Sequence, residues 1–140
     1  MQAGELGVPL ASLRPSPLPA KLLLPVRCII VDDSEEFLAS ASRLLGSQGM
    51  EVLAVASTGD HALHLVGELG PDVALVDIEL GEEDGIELSR ELASRLPTTR
   101  VVLISSYARD DVGELIAGSP AAGFLPKTDL GSAAIARLLR

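Results

Sequence analysis

Three short, unbroken apolar runs, each ending on polar side chains, constrain this chain most. Cys28-Ile29-Ile30-Val31 leads into Asp32-Asp33, Val73-Ala74-Leu75-Val76 into Asp77, and Val101-Val102-Leu103-Ile104 into Ser105-Ser106. Runs of four apolar residues without alternation are strands covered on both faces, the situation of a parallel sheet layered between helices. The intervening stretches carry helical spacing. Phe37, Leu38, Ala41, Leu44 and Leu45 form one stripe, with Ser34 placed to cap it. Leu63, Val66 and Leu69, then Leu88, Leu92 and Leu96, then Val112, Leu115 and Ile116, then Ile135, Leu138 and Leu139 repeat the pattern. Gly49, Gly70-Pro71, Pro97 and Ser119-Pro120 stand where helices should end. Residues 51–56, which alternate, and 123–126, which close on a proline, add two strands suited to the sheet edges. The expectation is an α/β fold with five strands and five helices.

A chain of 140 residues carries one ordinary domain, placed at 26–140. Residues 1–25 hold Pro9, Pro15, Pro17, Pro19 and Pro25 and read as a disordered Pro-rich leader. Apolar residues make up 47%, yet no run nears the roughly 20 needed to cross a bilayer, so no membrane role is expected. A net charge of −9 repels a phosphate backbone, which argues against direct nucleic-acid binding. The single cysteine, Cys28, has no partner for an internal disulfide and reads as a small buried hydrophobe. A cytoplasmic location fits that usage.

In an open α/β sheet the functional crevice lies at the carboxyl ends of the strands. Asp32, Asp33, Asp77, Ser105 and Lys127 all fall there. Crowded carboxylates repel unless a cation neutralises them, and an all-oxygen set without Cys or His favours Mg²⁺ or Mn²⁺. Such an ion keeps positions for water and phosphate oxygens, which leaves Asp77 free to act as a nucleophile toward phosphorus. Phosphoryl transfer then needs alignment and charge neutralisation, which Lys127 and the Ser105 hydroxyl can supply.

Val-Asp-Asp-Ser at 31–34, Asp77 with Gly85 eight residues on, Val-Leu-Ile-Ser-Ser at 102–106 and Gly-Phe-Leu-Pro-Lys at 123–127 together resemble the receiver domains of two-component response regulators. The resemblance spans essentially all of 26–140. It implies a flavodoxin-like parallel sheet of order 2-1-3-4-5 with five flanking helices. It further implies that Asp32 and Asp33 are the acidic metal-binding pair, Asp77 the phosphoacceptor and metal ligand, and Glu79 the donor of a backbone carbonyl to the metal. Ser105 becomes the switch hydroxyl, Phe124 a switch aromatic that repacks inward on activation, and Lys127 the phosphate-binding lysine. Glu79 and Tyr107 match positions that tune dephosphorylation, bulky Tyr107 hindering the attacking water. The implied function is a phosphoryl-accepting switch served by a sensor histidine kinase, with output through the fourth helix, fifth strand and fifth helix. It is not an enzyme beyond its own self-phosphorylation and autodephosphorylation.

The chain departs from that pattern at Leu80-Gly81, where Met-Pro is common, so a looser loop is expected. Thr128 after Lys127 resembles the subgroup that often appends a helix-turn-helix domain, so the output is either a missing C-terminal DNA-binding domain or a separate protein. Homodimerisation on phosphorylation, through Arg109, Asp110, Glu114 and Arg137, stays open. A phosphorylation-independent interaction module is the alternative. A haloacid-dehalogenase-like phosphatase would need Asp-x-Asp on the first strand, and a P-loop would need glycine where Pro126 stands. His61 and His64 lack a third ligand and are read as structural, and Glu82-Glu83-Asp84 as a solvated loop with Asp84-Gly85 turning into the third helix.

Overall fold

The computed structural model describes residues 25–140, apart from the side chains of residues 109 and 110. The expected leader lies outside these residues except for Pro25. β1 (Arg27–Val31), β2 (Glu51–Ala56), β3 (Val73–Asp77), β4 (Arg100–Ser105) and β5 (Gly123–Pro126) form one parallel sheet in the order 2-1-3-4-5. Between them run α1 (Glu35–Ser47), α2 (Gly59–Leu69), α3 (Gly85–Arg95) and α4 (Arg109–Ala117), and α5 (Ser132–Leu139) closes the chain. The order reverses between β1 and β3, so the two strands that carry the aspartates are neighbours.

Strand alternation sorts the core into two layers. Ile29, Val31, Ala74, Val76, Val101, Leu103 and Phe124 pack with Ala62 and Val66 of α2, Leu88 and Leu92 of α3, and Val112 of α4. Cys28, Ile30, Val73, Leu75, Val102 and Ile104 pack with Leu38, Ala41 and Leu45 of α1 and Ile135 of α5. Each fully buried Leu or Ile removes enough apolar surface from water to stabilise the fold by about 2 kcal/mol. Burial pushes the Cys28 thiol up to about 12, helped by the nearby Asp72 charge, which leaves it an inert core residue.

Two predicted stripe members lie outside the core. Leu44 is 39% exposed and Leu115 is 56% exposed. Both sit at the margin of an apolar arc whose centre, Leu45 on α1 and Val112 on α4, takes the buried position. The loop after β3, where Leu80-Gly81 departs from Met-Pro, takes the form of a short hairpin. Glu79–Leu80 pairs antiparallel with Glu83–Asp84, Leu80 is buried in the core, and Gly81 takes φ +61 to make the turn.

Candidate functional site

The strand register builds the site. In β1 and β3, Val31 pairs with Val76, so the next residues, Asp32 and Asp77, emerge side by side at the carboxyl edge. In β3 and β4, Asp77 pairs with Ile104, which sets Ser105 one step beyond, and Ser105 in turn pairs with Pro126, just before Lys127. Four strand ends therefore deliver two carboxylates, a hydroxyl and an ammonium to one spot. Asp33 follows on the loop into α1, and its carboxylate completes a trio with Asp32 and Asp77 whose oxygens lie within 4.8 Å of one another.

Local bonds orient each acid. Asp32 Oδ1 accepts from the Ser34 amide at 2.8 Å, while the Ser34 hydroxyl accepts from the Phe37 amide at 3.1 Å and caps α1. Asp77 Oδ1 accepts from the Glu79 amide at 3.1 Å, which turns the other oxygen, Oδ2, toward the Lys127 Nζ at 3.2 Å. Lys127 Nζ also lies 2.6 Å from Asp32 Oδ2, but off the direction of a hydrogen bond, so that buried oxygen has a counter-charge and no hydrogen-bond partner among the described residues. Gly85 explains how the following helix comes so close. A Cβ there would stand 1.8 Å from the Asp77 carbonyl oxygen, so only glycine lets α3 start against the end of β3. The Gly85 amide donates to Ile78 O at 2.9 Å, and Asp84 caps the helix by accepting from the amides of Ile86 and Glu87.

The electrostatics follow from burial. Desolvation, reinforced by the Asp32 charge, lifts the Asp77 carboxyl to about 6 against the opposing pull of the Glu79 amide and of Lys127. Burial disfavours the Lys127 ammonium, but the Asp32 and Asp77 carboxylates outweigh it and hold its pKa above the ordinary lysine value. One ammonium facing three carboxylates leaves the site short of positive charge. Three hard oxygen donors at this spacing, one of them buried without a hydrogen bond, fit a divalent cation of the Mg²⁺ class.

The other predicted residues are placed as follows. Ser105 is buried at the end of β4, and its Oγ accepts from the Tyr107 amide at 3.0 Å. The Tyr107 side chain is 48% exposed, and Glu79 is exposed on the loop beside Asp77. Phe124 is already inside, in the same core layer as Leu103 and Val112, so the outward starting position that an inward repacking requires is not this state. Its strand register, opposite Leu103, puts it on the face that α4 covers. His61 and His64 remain apart from the acids, and His64 pairs with Glu68 at 3.6 Å on the exposed side of α2. Glu83 is more than a solvated loop residue, since its Oε1 accepts from the Gly59 amide at 2.9 Å at the start of α2. Sequence reading missed Phe37, whose ring centroid lies 4.3 Å from Lys127 Nζ. Its only signal was an aromatic three residues into the helix that follows the acidic pair.

Comparison with known proteins returns the same fold. The family model described as "Response regulator receiver domain" matches residues 28–136. The DNA-binding transcriptional activator DevR/DosR of Mycobacterium tuberculosis is 33% identical over 118 residues, which cover 82% of this chain and 53% of that protein. The transcriptional regulatory protein DegU of Brevibacillus brevis is 30% identical over 103 residues, 73% of this chain and 44% of that one. The chain thus spans about half the length of these relatives. Among solved structures, the signal receiver domain of the response regulator NarL of Mycobacterium tuberculosis superposes with a TM-score of 0.72 at 31% identity, covering 82% of this chain and 97% of that one. A Burkholderia pseudomallei response regulator, solved with a phosphorylated aspartic acid, a calcium ion and citrate, gives 0.70 at 26% identity, covering 82% and 66%.

Proposed function

We propose, given that this chain belongs to the response regulator receiver domain family of two-component systems, that Asp77 is its phosphoacceptor and that phosphorylation is its signal. The observation that carries the reading is the convergence of the Asp32, Asp33 and Asp77 carboxylates within 4.8 Å, with Lys127 Nζ 3.2 Å from the Asp77 oxygen. The carboxylates of Asp32, Asp33 and Asp77 and the backbone carbonyl of Glu79 are the ligands assigned to the metal. When bound, Mg²⁺ or Mn²⁺ offsets the crowded negative charge and that of incoming phosphoryl oxygens.

The chain's own residues do the rest. An Asp77 oxygen forms the new P–O bond as the bond from phosphorus to the donor breaks, and the donor leaves with that electron pair. Lys127 stays beside Asp77 and neutralises the transferred group, and the Ser105 hydroxyl, one strand over, donates to one of its oxygens. Tyr107 is assigned to slow hydrolysis by shielding the phosphoryl group, so Tyr107→Ala should shorten its lifetime. The donor in the cell is a sensor histidine kinase, and the phosphorylated state is read on α4, β5 and α5 by a partner or by an appended DNA-binding domain like those of the transcriptional regulators it resembles. No helix among the described residues is long and apolar enough to cross a membrane, and a cytoplasmic site of action is part of the same proposal.

Intact mass after incubation with Mg²⁺ and acetyl phosphate tests the reading. Wild type should gain one phosphoryl group and Asp77→Asn none. No gain in wild type would favour an interaction module that works without phosphate.

A further inference from the structure

We infer that Phe37 is a positioning residue for Lys127, holding its ammonium at the mouth of the site through a cation–π contact. The inference rests on the proposed role of Asp77 and deepens it. The Lys127 ammonium meets Asp32 Oδ2 at 2.6 Å, Asp77 Oδ2 at 3.2 Å and the Phe37 ring centroid at 4.3 Å. Its side chain is only 17% exposed, so the aromatic face stands where water would otherwise solvate the charge.

The arrangement calls for an aromatic residue specifically. Position 37 is half-buried against the core layer of α1 and α5, and a leucine, though smaller, would keep an apolar side chain in that space. A leucine has no negative π-face to attract a cation. The backbone that carries the ring is also fixed independently of the lysine, because the Phe37 amide donates to the Ser34 hydroxyl that caps α1. Lysine is a flexible point charge with rotatable bonds along its whole stem. Asp32 and Asp77 compete for it, and the shorter of the two contacts is the poorly directed one. A third contact from a separate element restricts the ammonium to the place from which it can serve Asp77. The segment 32–37, which joins β1 to the first turn of α1, thus contributes an aromatic brace for the catalytic lysine as well as two acids.

The experiment combines lysine side-chain NMR with phosphorylation rates for wild type, Phe37→Leu and Phe37→Tyr. The chain has two Phe, one Tyr and no Trp, so ring-current shifts at Lys127 have few sources. The Lys127 ε-methylene protons should be shifted upfield in wild type and Phe37→Tyr, and should return to ordinary lysine values in Phe37→Leu. Phosphorylation by acetyl phosphate should slow about fivefold or more in Phe37→Leu and recover in Phe37→Tyr, for a partly desolvated contact of this kind. Far-UV circular dichroism and the urea midpoint of Phe37→Leu show whether it is folded, and Phe37→Met serves as a second aliphatic variant if it is not. Unshifted Lys127 protons in wild type, or aliphatic variants that react at the wild-type rate, would overturn the inference. An upfield shift in a wild type that gains no phosphoryl group would leave the contact standing and sink the phosphoacceptor reading instead.

Discussion

The helices before Ser105 and the one directly after it begin differently. α1, α2 and α3 each start on a side-chain cap, from Ser34, Thr58 and Asp84. α4 starts after Ala108, whose methyl group cannot accept a hydrogen bond. Among the described residues of α4 only Val112 is buried, and Leu115 and the preceding Tyr107 face solvent. α5 also lacks a cap of its own at Gly131, but the Gln48 side chain reaches across from the end of α1 and accepts from the Ser132 amide at 2.7 Å. The half that holds the acids is therefore anchored at every helix start, and α4, next to Ser105, is the least anchored helix. Segments with few buried apolar contacts open at low free-energy cost, and switching elements are drawn from that class. A phosphoryl group that binds one arrangement of α4 better by a few kcal/mol would shift most of the population.

The largest contrast between the two halves should appear on truncation of leucines. Leu75→Ala in β3, fully buried in the layer under α1 and α5, should cost about 4 kcal/mol in urea unfolding. Leu115→Ala on α4 should stay within about 0.5 kcal/mol, and a loss comparable with that at Leu75 would show α4 to be as firmly packed as the rest. Gly85→Ala comes next. The new methyl has to displace the Asp77 backbone, so a loss of about 3 kcal/mol should come with failure to accept a phosphoryl group. A variant with wild-type stability and reactivity would disprove the close approach.

A smaller effect depends on pH. An acid whose folded pKa lies above its unfolded value keeps its proton in the native state while the unfolded chain has already released it, so stability falls as pH rises through that window. With Asp77 lifted to about 6 from the ordinary carboxylate range, Asp77→Asn should stabilise the metal-free protein at pH 7.5 by on the order of 2 kcal/mol, fading to little at pH 4. A gain independent of pH would mean that burial of the charge is not its source. The smallest pair concerns the caps. Asp84→Ala should cost about 1 kcal/mol, whereas Ala108→Asp should stabilise by about 0.5 kcal/mol, the opposite sign for opposite reasons. If Ala108→Asp changes nothing, the start of α4 is already satisfied.

Much of this was legible in the sequence. The apolar runs marked β1, β3 and β4 because strands buried on both faces have to be continuous, and the acids, Ser105 and Lys127 stood out because they end those strands. The sheet order came through the resemblance to receiver domains. What the sequence hid were contacts between residues far apart in the chain that obey no local period. Phe37 looked like one more core position of α1, and nothing in the spacing said that Lys127, ninety residues later, lies over its ring. Glu83 on Gly59 and Gln48 on Ser132 are similar, helix starts served by side chains from other elements. Leu44 and Leu115 failed for another reason, since periodicity defines an arc and only packing decides which of its margins is covered.

Amide ¹H–¹⁵N spectra of the wild type, recorded with Mg²⁺ alone and then with acetyl phosphate added, test most directly whether phosphorylation at Asp77 is relayed to the weakly anchored half. The account predicts shifts around Asp77 and a second, larger set within residues 105–130, all absent in Asp77→Asn. Changes confined to the immediate neighbours of Asp77, or none in a protein whose mass shows the phosphoryl group, would contradict it.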